Sequence, residues 1–224
     1  GRGRVGIRER VGHARYRVVT EGSVVAMPET SIGLVPDAGG SWLLSRAPGG
    51  AGLRLALTGG RMEAAQAVAM GFADYMLPSA ELDTLRNRLA TAAAEDVFAS
   101  LPPVPPSVQS PAMAEYDPQA PLGQIMERLE SALHHSAQAD RQDLSRACPT
   151  SIAAAWYGWQ AARSAPSLQD AFAVEGRLVR YMLGRADFAE GVRARLIDRD
   201  NAPIWQPARL EDVDVTALQA VLGA

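Results

Sequence analysis

The chain has 224 residues, enough for one large domain or for a domain with a helical appendage, and its 47% hydrophobic content can supply a sizeable core. A formal charge of −3 is too small to imply nucleic acid or a membrane surface as an obligatory partner. No apolar stretch approaches the roughly 18 residues that a membrane span needs, and Gly1-Arg2-Gly3-Arg4 lacks the apolar segment of a signal peptide. A lone cysteine, Cys148, leaves no internal disulfide and no multi-cysteine metal site, which fits a reducing compartment, and the expected location is the cytoplasm. All 22 basic residues are arginine. Schiff-base chemistry is therefore excluded for these residues, and phosphate recognition would fall to guanidinium forks or backbone N–H groups.

In chain order, β-rich runs come first: Arg15 to Thr20, Val24 to Met27, and Ile32 to Val35 leading into Pro36-Asp37. Gly39-Gly40 followed by Trp42-Leu43-Leu44 predicts a helix that starts just after the loop, with Asp37 near its N-terminal end. Helices are expected at Ala51 to Leu57 and Ala64 to Ala69, the second stopped by a left-handed Gly71, and Phe72 to Leu77 returns as a strand. A helix from about Ala80 to Ala99 carries Leu82, Leu85 and Leu89 on one face. Seven of the fifteen prolines then fall between Pro102 and Pro121, where no hydrophobic period survives, so residues 101–121 are expected to form a linker. This divides the chain into 1–100, a strand-and-helix core with the chemistry-bearing segment, the linker, and a helical part over 122–224. Within the helical part, Ile125, Leu129 and Leu133 mark one amphipathic helix and Ile152, Trp156 and Trp159 another. A third carries Leu168, Phe172, Val179 and Met182 and is opened by Ser167 with Asp170 three residues on. Asp187 and Glu190 form a capping-box pattern for a fourth, with Phe188, Val192 and Leu196 facing inward.

The segment Ala26 to Gly40, AMPETSIGLVPDAGG, carries the chemistry. Glu29 and Asp37 bracket a short apolar run, and each follows a proline that fixes the backbone approach. Eight residues of strand and turn can bring two carboxylates to one end of a sheet. On spacing alone a turn residue at Glu29 and a helix cap at Asp37 is the favoured reading, and the acid pair is only suggestive.

In its details this segment resembles the crotonase superfamily. Hydratases and isomerases of that superfamily usually carry Pro-Glu followed by Pro-Gly-Ala-Gly-Gly, whereas this chain has Asp37 in place of the first of those glycines. An aspartate there, with Met-Pro-Glu-Thr upstream and Leu44-Ser45-Arg46-Ala47-Pro48 downstream, is similar to the 3-hydroxyisobutyryl-CoA hydrolases, thioesterases of valine breakdown. Further similarity lies in Leu55 to Gly59, Gly71 to Asp74, Pro149-Thr150-Ser151 and Asp187 to Asp200, and it extends from about Val5 to Val213. The resemblance implies an α/β fold, a crotonase spiral of β-β-α units truncated at its N-terminus, with a helical C-terminal part that covers the acyl pocket and supports self-association. It also implies hydrolysis of an acyl-CoA substrate, with no metal or redox cofactor and a homo-oligomer as a possible assembly. Glu29 would activate water or attack the thioester, while Asp37 would bind the 3-hydroxyl or orient water and Glu29. The tetrahedral oxyanion needs two preorganised donors. Gly3 stands where the middle glycine of the family's Gly-Gly-Gly donor turn belongs, flanked by Arg2 and Arg4, and the upstream loop that supplies the second donor has no counterpart.

Two alternatives accompany this expectation. Glu9 lies twenty residues before Glu29, a spacing similar to that of the hydratases' two catalytic glutamates, but without a glycine triplet where one is required. A non-catalytic crotonase-like protein is the other. Among the remaining candidates, His13, His134 and His135 do not form a metal set, because the adjacent pair cannot face one helix side. Cys148 is expected to be a structural thiol, and Trp156 and Trp159 to be packing residues that could line an acyl channel. For Arg199, surface salt bridging is expected ahead of contact with CoA phosphates.

Overall fold

The computed structural model describes residues 13–102 and 113–223. In chain order its elements open with β1 (Val18–Val19), β2 (Val24–Ala26), a 3-10 turn (Glu29–Ile32), α1 (Gly40–Arg46) and α2 (Ala51–Thr58). Next come β3 (Arg61–Glu63), α3 (Ala64–Ala69), β4 (Tyr75–Met76), α4 (Leu82–Leu89) and α5 (Ala94–Ala99). Helices α6 (Leu122–Ser131), α7 (His135–Arg146), α8 (Pro149–Ser164), α9 (Leu168–Leu183) and α10 (Ala186–Val192) follow, then a π-helical turn (Arg193–Ile197) and α11 (Val215–Gly223). These residues gather into two compact units, 13–26 with 61–102, and 27–60 with 113–223.

The first unit holds the strands. β1 pairs parallel with β4, Val18 opposite Tyr75, and β2 pairs antiparallel with β3, Val25 opposite Met62. A reciprocal capping box between Glu63 and Gln66 starts α3, and Gly71 at φ 76° ends it. Arg17 locks β1 to the turn before β4: its Nε and backbone N–H donate to Asp74 Oδ2 at 3.0 and 2.8 Å, one terminal nitrogen donates to Oδ1 at 2.6 Å, and the other to the Gly71 carbonyl at 2.7 Å. Leu77, Leu85, Val97 and Phe98 form the unit's apolar cluster, with Tyr16 stacked on Phe98 at 4.2 Å.

The second unit is helical and built around α8. Pro149 occupies the first turn of α8, where its missing N–H costs nothing, and the helix packs against α1, α2 and α9. Its small residues Ala153, Ala154, Ala155 and Gly158 let those neighbours approach closely. Val35, Leu178, Met182, Val213 and Leu218 complete this core. α2 is pinned to α7 by a bidentate bond from Arg54 to Asp140, which is 2% exposed and also accepts from the Tyr116 hydroxyl at 2.9 Å. Leaving Asp140 unpaired there would strand a buried charge.

Several elements differ from their sequence expectation. Ile32 to Val35 is not a strand: Gly33 turns left-handed at φ 74° and Leu34 donates back to the Glu29 carbonyl at 3.0 Å, so the run closes a turn. The expected helix over 80–99 is two helices, because Ala93 is extended, and the second brings Val97 and Phe98 onto Leu85. The Asp187–Glu190 capping box does not form. Arg185 is the N-cap, Asp187 is committed to Gln206 and Arg185, and Glu190 pairs with Arg193. Leu133 lies beyond the end of α6 and is 87% exposed. Leu196, rotated outward on the π-helical turn, is 60% exposed. The Ser167 cap on α9 is present, its hydroxyl accepting from the Asp170 N–H at 3.3 Å.

Burial opposes ionisation of Asp74, but the Arg17 bonds prevail and hold its carboxyl below the usual range. A lowered folded value stabilises above the unfolded value near 3.9 and is lost as pH falls through the folded one. Asp74→Asn is therefore expected to cost about 1.5–3 kcal/mol at pH 7. In urea titrations the gap from wild type should close as pH drops below about 4. A gap independent of pH would show that the charge contributes nothing.

Candidate active site

Glu29 opens the 3-10 turn directly after Pro28, half-buried, with its Oε2 shielded from solvent. The turn is clamped by the C-terminal helices. Thr30 is fully buried, and its carbonyl accepts from the Cys148 N–H at the start of α8 at 2.9 Å. On the other side α10 lies against it with no room for side chains: a Cβ on Gly191 would meet the Ile32 carbonyl carbon at 2.4 Å, and one on Gly33 the Asp187 carbonyl oxygen at 2.5 Å. Only glycine permits either approach. Asp187, 2% exposed, fixes that end of α10 by accepting from the Gln206 N–H at 2.7 Å and from Arg185 Nε at 3.1 Å.

Asp37 sits half-buried on a second turn, where its carbonyl accepts from the Gly40 N–H at 2.7 Å. Ala38 at φ 49° and Gly39 at φ 83° are consecutive left-handed residues, an arrangement that costs an alanine roughly 1–2 kcal/mol. The brace for this turn comes from 136 residues away. Glu175, in the middle of α9 and 2% exposed, accepts from the Gly39 N–H through Oε2 at 2.7 Å and from the Ser41 N–H through Oε1 at 2.8 Å. Burial pushes the Glu175 carboxyl above its ordinary range, the two N–H bonds and the Ser41 hydroxyl oppose that, and the like charge of Asp37 adds to it. Asp37 and Glu175 are thus close enough to interact electrostatically, and the first-turn amides of α1 are already taken by an internal anion.

Glu29 and Asp37 are therefore held by different parts of the same helical unit, the first by α8 and α10 and the second by α9. Gly3 and Glu9 lie outside the described residues. Cys148 is buried at the N-cap of α8, its thiol pushed up by burial against opposing hydrogen bonds from Ser151 and Thr150, and so it is poor as a nucleophile. His134 caps α7, accepting from the Ala137 N–H at 3.2 Å, and its Nε2 lies 2.8 Å from Glu115. Trp159 is core, with the Arg163 guanidinium 5.5 Å from its ring centre. Trp156 lines an apolar cavity of about 420 Å³ with Leu122, Met126, Tyr157 and Val215; neither Glu29 nor Asp37 lines it.

Arg199 is exposed and bonds the Leu196 carbonyl at 3.4 Å. Its neighbour Arg193 is the hub that sequence spacing did not single out. Arg193 bonds both oxygens of Glu190 at 2.8 Å, Asp198 at 2.7 Å and Asp200 at 2.6 Å. Glu190 also accepts from the Ile204 N–H at 2.8 Å, and the Arg193 bonds with this one hold its carboxyl at about 2. The acids at 187, 190, 198 and 200, interleaved with Arg193, Arg195 and Arg199, were the available signal.

Comparison with known proteins places the chain in a family. Residues 5–222 match the profile described as enoyl-CoA hydratase/isomerase. A mitochondrial 3-hydroxyisobutyryl-CoA hydrolase of Gallus gallus is 34% identical over 220 residues, covering 90% of this chain and 56% of the relative. A probable 3-hydroxyisobutyryl-CoA hydrolase of Arabidopsis thaliana is 32% identical, with 90% and 58% covered. Among solved structures, a carnitinyl-CoA dehydratase from Mycobacterium thermoresistibile superposes with a TM-score of 0.83 at 30% identity, over 96% of this chain and 63% of that one. An enoyl-CoA hydratase from Rhodobacter sphaeroides gives 0.80 at 36% identity, over 94% and 62%. The chain spans a little over half the length of these curated relatives, and its fold is the crotonase α/β fold with a helical C-terminal part. With its matched profile running almost end to end, the chain belongs to the enoyl-CoA hydratase/isomerase family.

Proposed function

We propose that the chain carries the acid–base pair of a thioester hydrolase acting on a short branched 3-hydroxyacyl-CoA, 3-hydroxyisobutyryl-CoA, in valine breakdown. The observation that carries the proposal is a carboxylate, Asp37, on a turn braced by Glu175, eight residues after a second carboxylate on a turn clamped by α8 and α10. The hydrolase names of the Gallus gallus and Arabidopsis thaliana relatives support the same substrate. A cytoplasmic location belongs to the proposal, although the Gallus gallus relative is named mitochondrial. Among the described residues no helix is long and apolar enough to cross a membrane.

In this proposal Glu29 supplies the reacting oxygen chemistry. As a base it takes a proton from water, the hydroxide adds to the thioester carbonyl, the C–S bond breaks, and the proton passes to the departing CoA thiolate. As a nucleophile it displaces the thiolate to form a mixed anhydride, which water hydrolyses at the Glu29 carbonyl. Asp37 holds the 3-hydroxyl or the water. The amides of Gly39 and Ser41 do not serve as oxyanion donors, because Glu175 occupies them. Donation from the Gly3 N–H is part of the proposal.

Release of free CoA from 3-hydroxyisobutyryl-CoA, read with a thiol reagent, is the expected activity. Glu29→Gln should lower kcat by about 10²–10⁴-fold. Hydration of crotonyl-CoA without thiol release would instead favour the hydratase reading suggested by the Rhodobacter sphaeroides likeness, and neither activity would leave a non-catalytic family member. A single turnover in ¹⁸O-water separates the two routes: label in the Glu29 peptide follows from the anhydride, and none from the base. Asp37→Asn should cost 3-hydroxyisobutyryl-CoA about 10–100-fold in kcat/KM. A matching loss with isobutyryl-CoA would assign Asp37 to the water, and a loss confined to the hydroxylated substrate would assign it to the hydroxyl.

A further inference from the structure

We propose that Glu175 is the positioning residue for Asp37: its carboxylate sets the left-handed turn at Ala38 and Gly39 that directs the Asp37 side chain, and catalysis depends on it through Asp37 alone. This rests on the role given to Asp37 above.

Stability by itself does not account for a carboxylate at this place. Glu175 is 2% exposed, and Asp37, of the same sign, is close enough to raise the cost of its charge. A neutral acceptor would avoid both penalties but satisfy only one amide, and an apolar side chain between α1, α8 and α9 would leave both N–H groups unpaired. A carboxylate offers something they do not, which is two acceptor oxygens on one rigid plane. The Gly39 and Ser41 N–H groups meet those two oxygens at 2.7 and 2.8 Å while residues 38 and 39 are left-handed. Because the Ser41 hydroxyl bonds the Pro36 carbonyl at 3.2 Å, the brace spans Asp37 from the residue before it to the helix after it. Relaxing Ala38 to an ordinary φ would rotate the peptide that follows Asp37 and break both bonds.

The substitutions separate positioning from support. In Glu175→Gln the amide keeps one acceptor and turns an NH₂ group toward the second N–H, donor facing donor. Glu175→Asp keeps the charge but is one methylene too short to reach both amides. Both variants should lower kcat/KM for 3-hydroxyisobutyryl-CoA by about 10–100-fold in folded protein, with KM changing less than kcat. On an Asp37→Asn background the same changes should cost less than about twofold further, since the group they position is already gone. Full additivity of the two losses would overturn the proposal. Hydrogen exchange gives a second, activity-free readout: the Gly39 and Ser41 amides should lose at least about tenfold protection in either variant while α2 and α8 keep theirs. Unchanged protection at those two amides would also overturn it. Wild-type chain that releases no CoA defeats the hydrolase proposal instead, and the exchange measurement still decides whether Glu175 holds the turn.

Discussion

A buried carboxylate that grips two backbone amides organises the helical unit and the segment that carries the acids. Glu175 reaches from the middle of α9 to the first residues of α1, and both oxygens are used on N–H groups that would otherwise end a helix unsatisfied. The bond pair joins α9 to the segment that holds the acids, so α9 is part of that segment's frame. It also settles the use of the glycine turn. A Gly-Gly turn opening a helix is physically suited to an external anion, but here the internal Glu175 carboxylate takes the Gly39 and Ser41 amides, and in the proposal the turn presents Asp37.

The turn that carries Glu29 is held by a different device, close packing of backbone on backbone. Two glycines, one on the turn and one on α10, allow backbone to approach backbone closer than any Cβ would permit, and a single bond from Cys148 to Thr30 ties the same turn to α8. Asp187, Arg185 and Gln206 hold α10 in place, and Arg193 gathers three acids behind it. Much of the ionic structure of the C-terminal part thus positions backbone. Exposed members of that network add little stability one by one, and their use is to define where α10 sits.

What the sequence disclosed follows the range of each interaction. Pro28-Glu29 and Pro36-Asp37 were legible because proline, carboxylate and glycine within fifteen residues form a local pattern. The Ser167 cap on α9 and the left-handed Gly71 were legible for the same reason. Ile32 to Val35 reads as a strand, since apolar β-branched residues fit a pleat, and the close approach of α10 to a left-handed Gly33 has no local sign. Glu175 could not be found, because its partners are backbone amides, which every residue possesses, more than 130 positions away. Leu196 was misplaced because the π-helical turn breaks the 3.6-residue period on which its inward assignment depended.

In the proposed reaction Glu29 and Asp37 serve one acyl thioester. The most direct measurement is a crystal structure of the protein with a non-hydrolysable thioether analogue of 3-hydroxyisobutyryl-CoA. A Glu29 carboxylate oxygen should lie about 3–3.5 Å from the carbonyl carbon of the analogue or from a water aimed at it, with Asp37 in hydrogen-bond reach of the hydroxyl or that water. An acyl group bound away from both carboxylates, or the two carboxylates facing separate solvent regions, would rule out a shared acyl site.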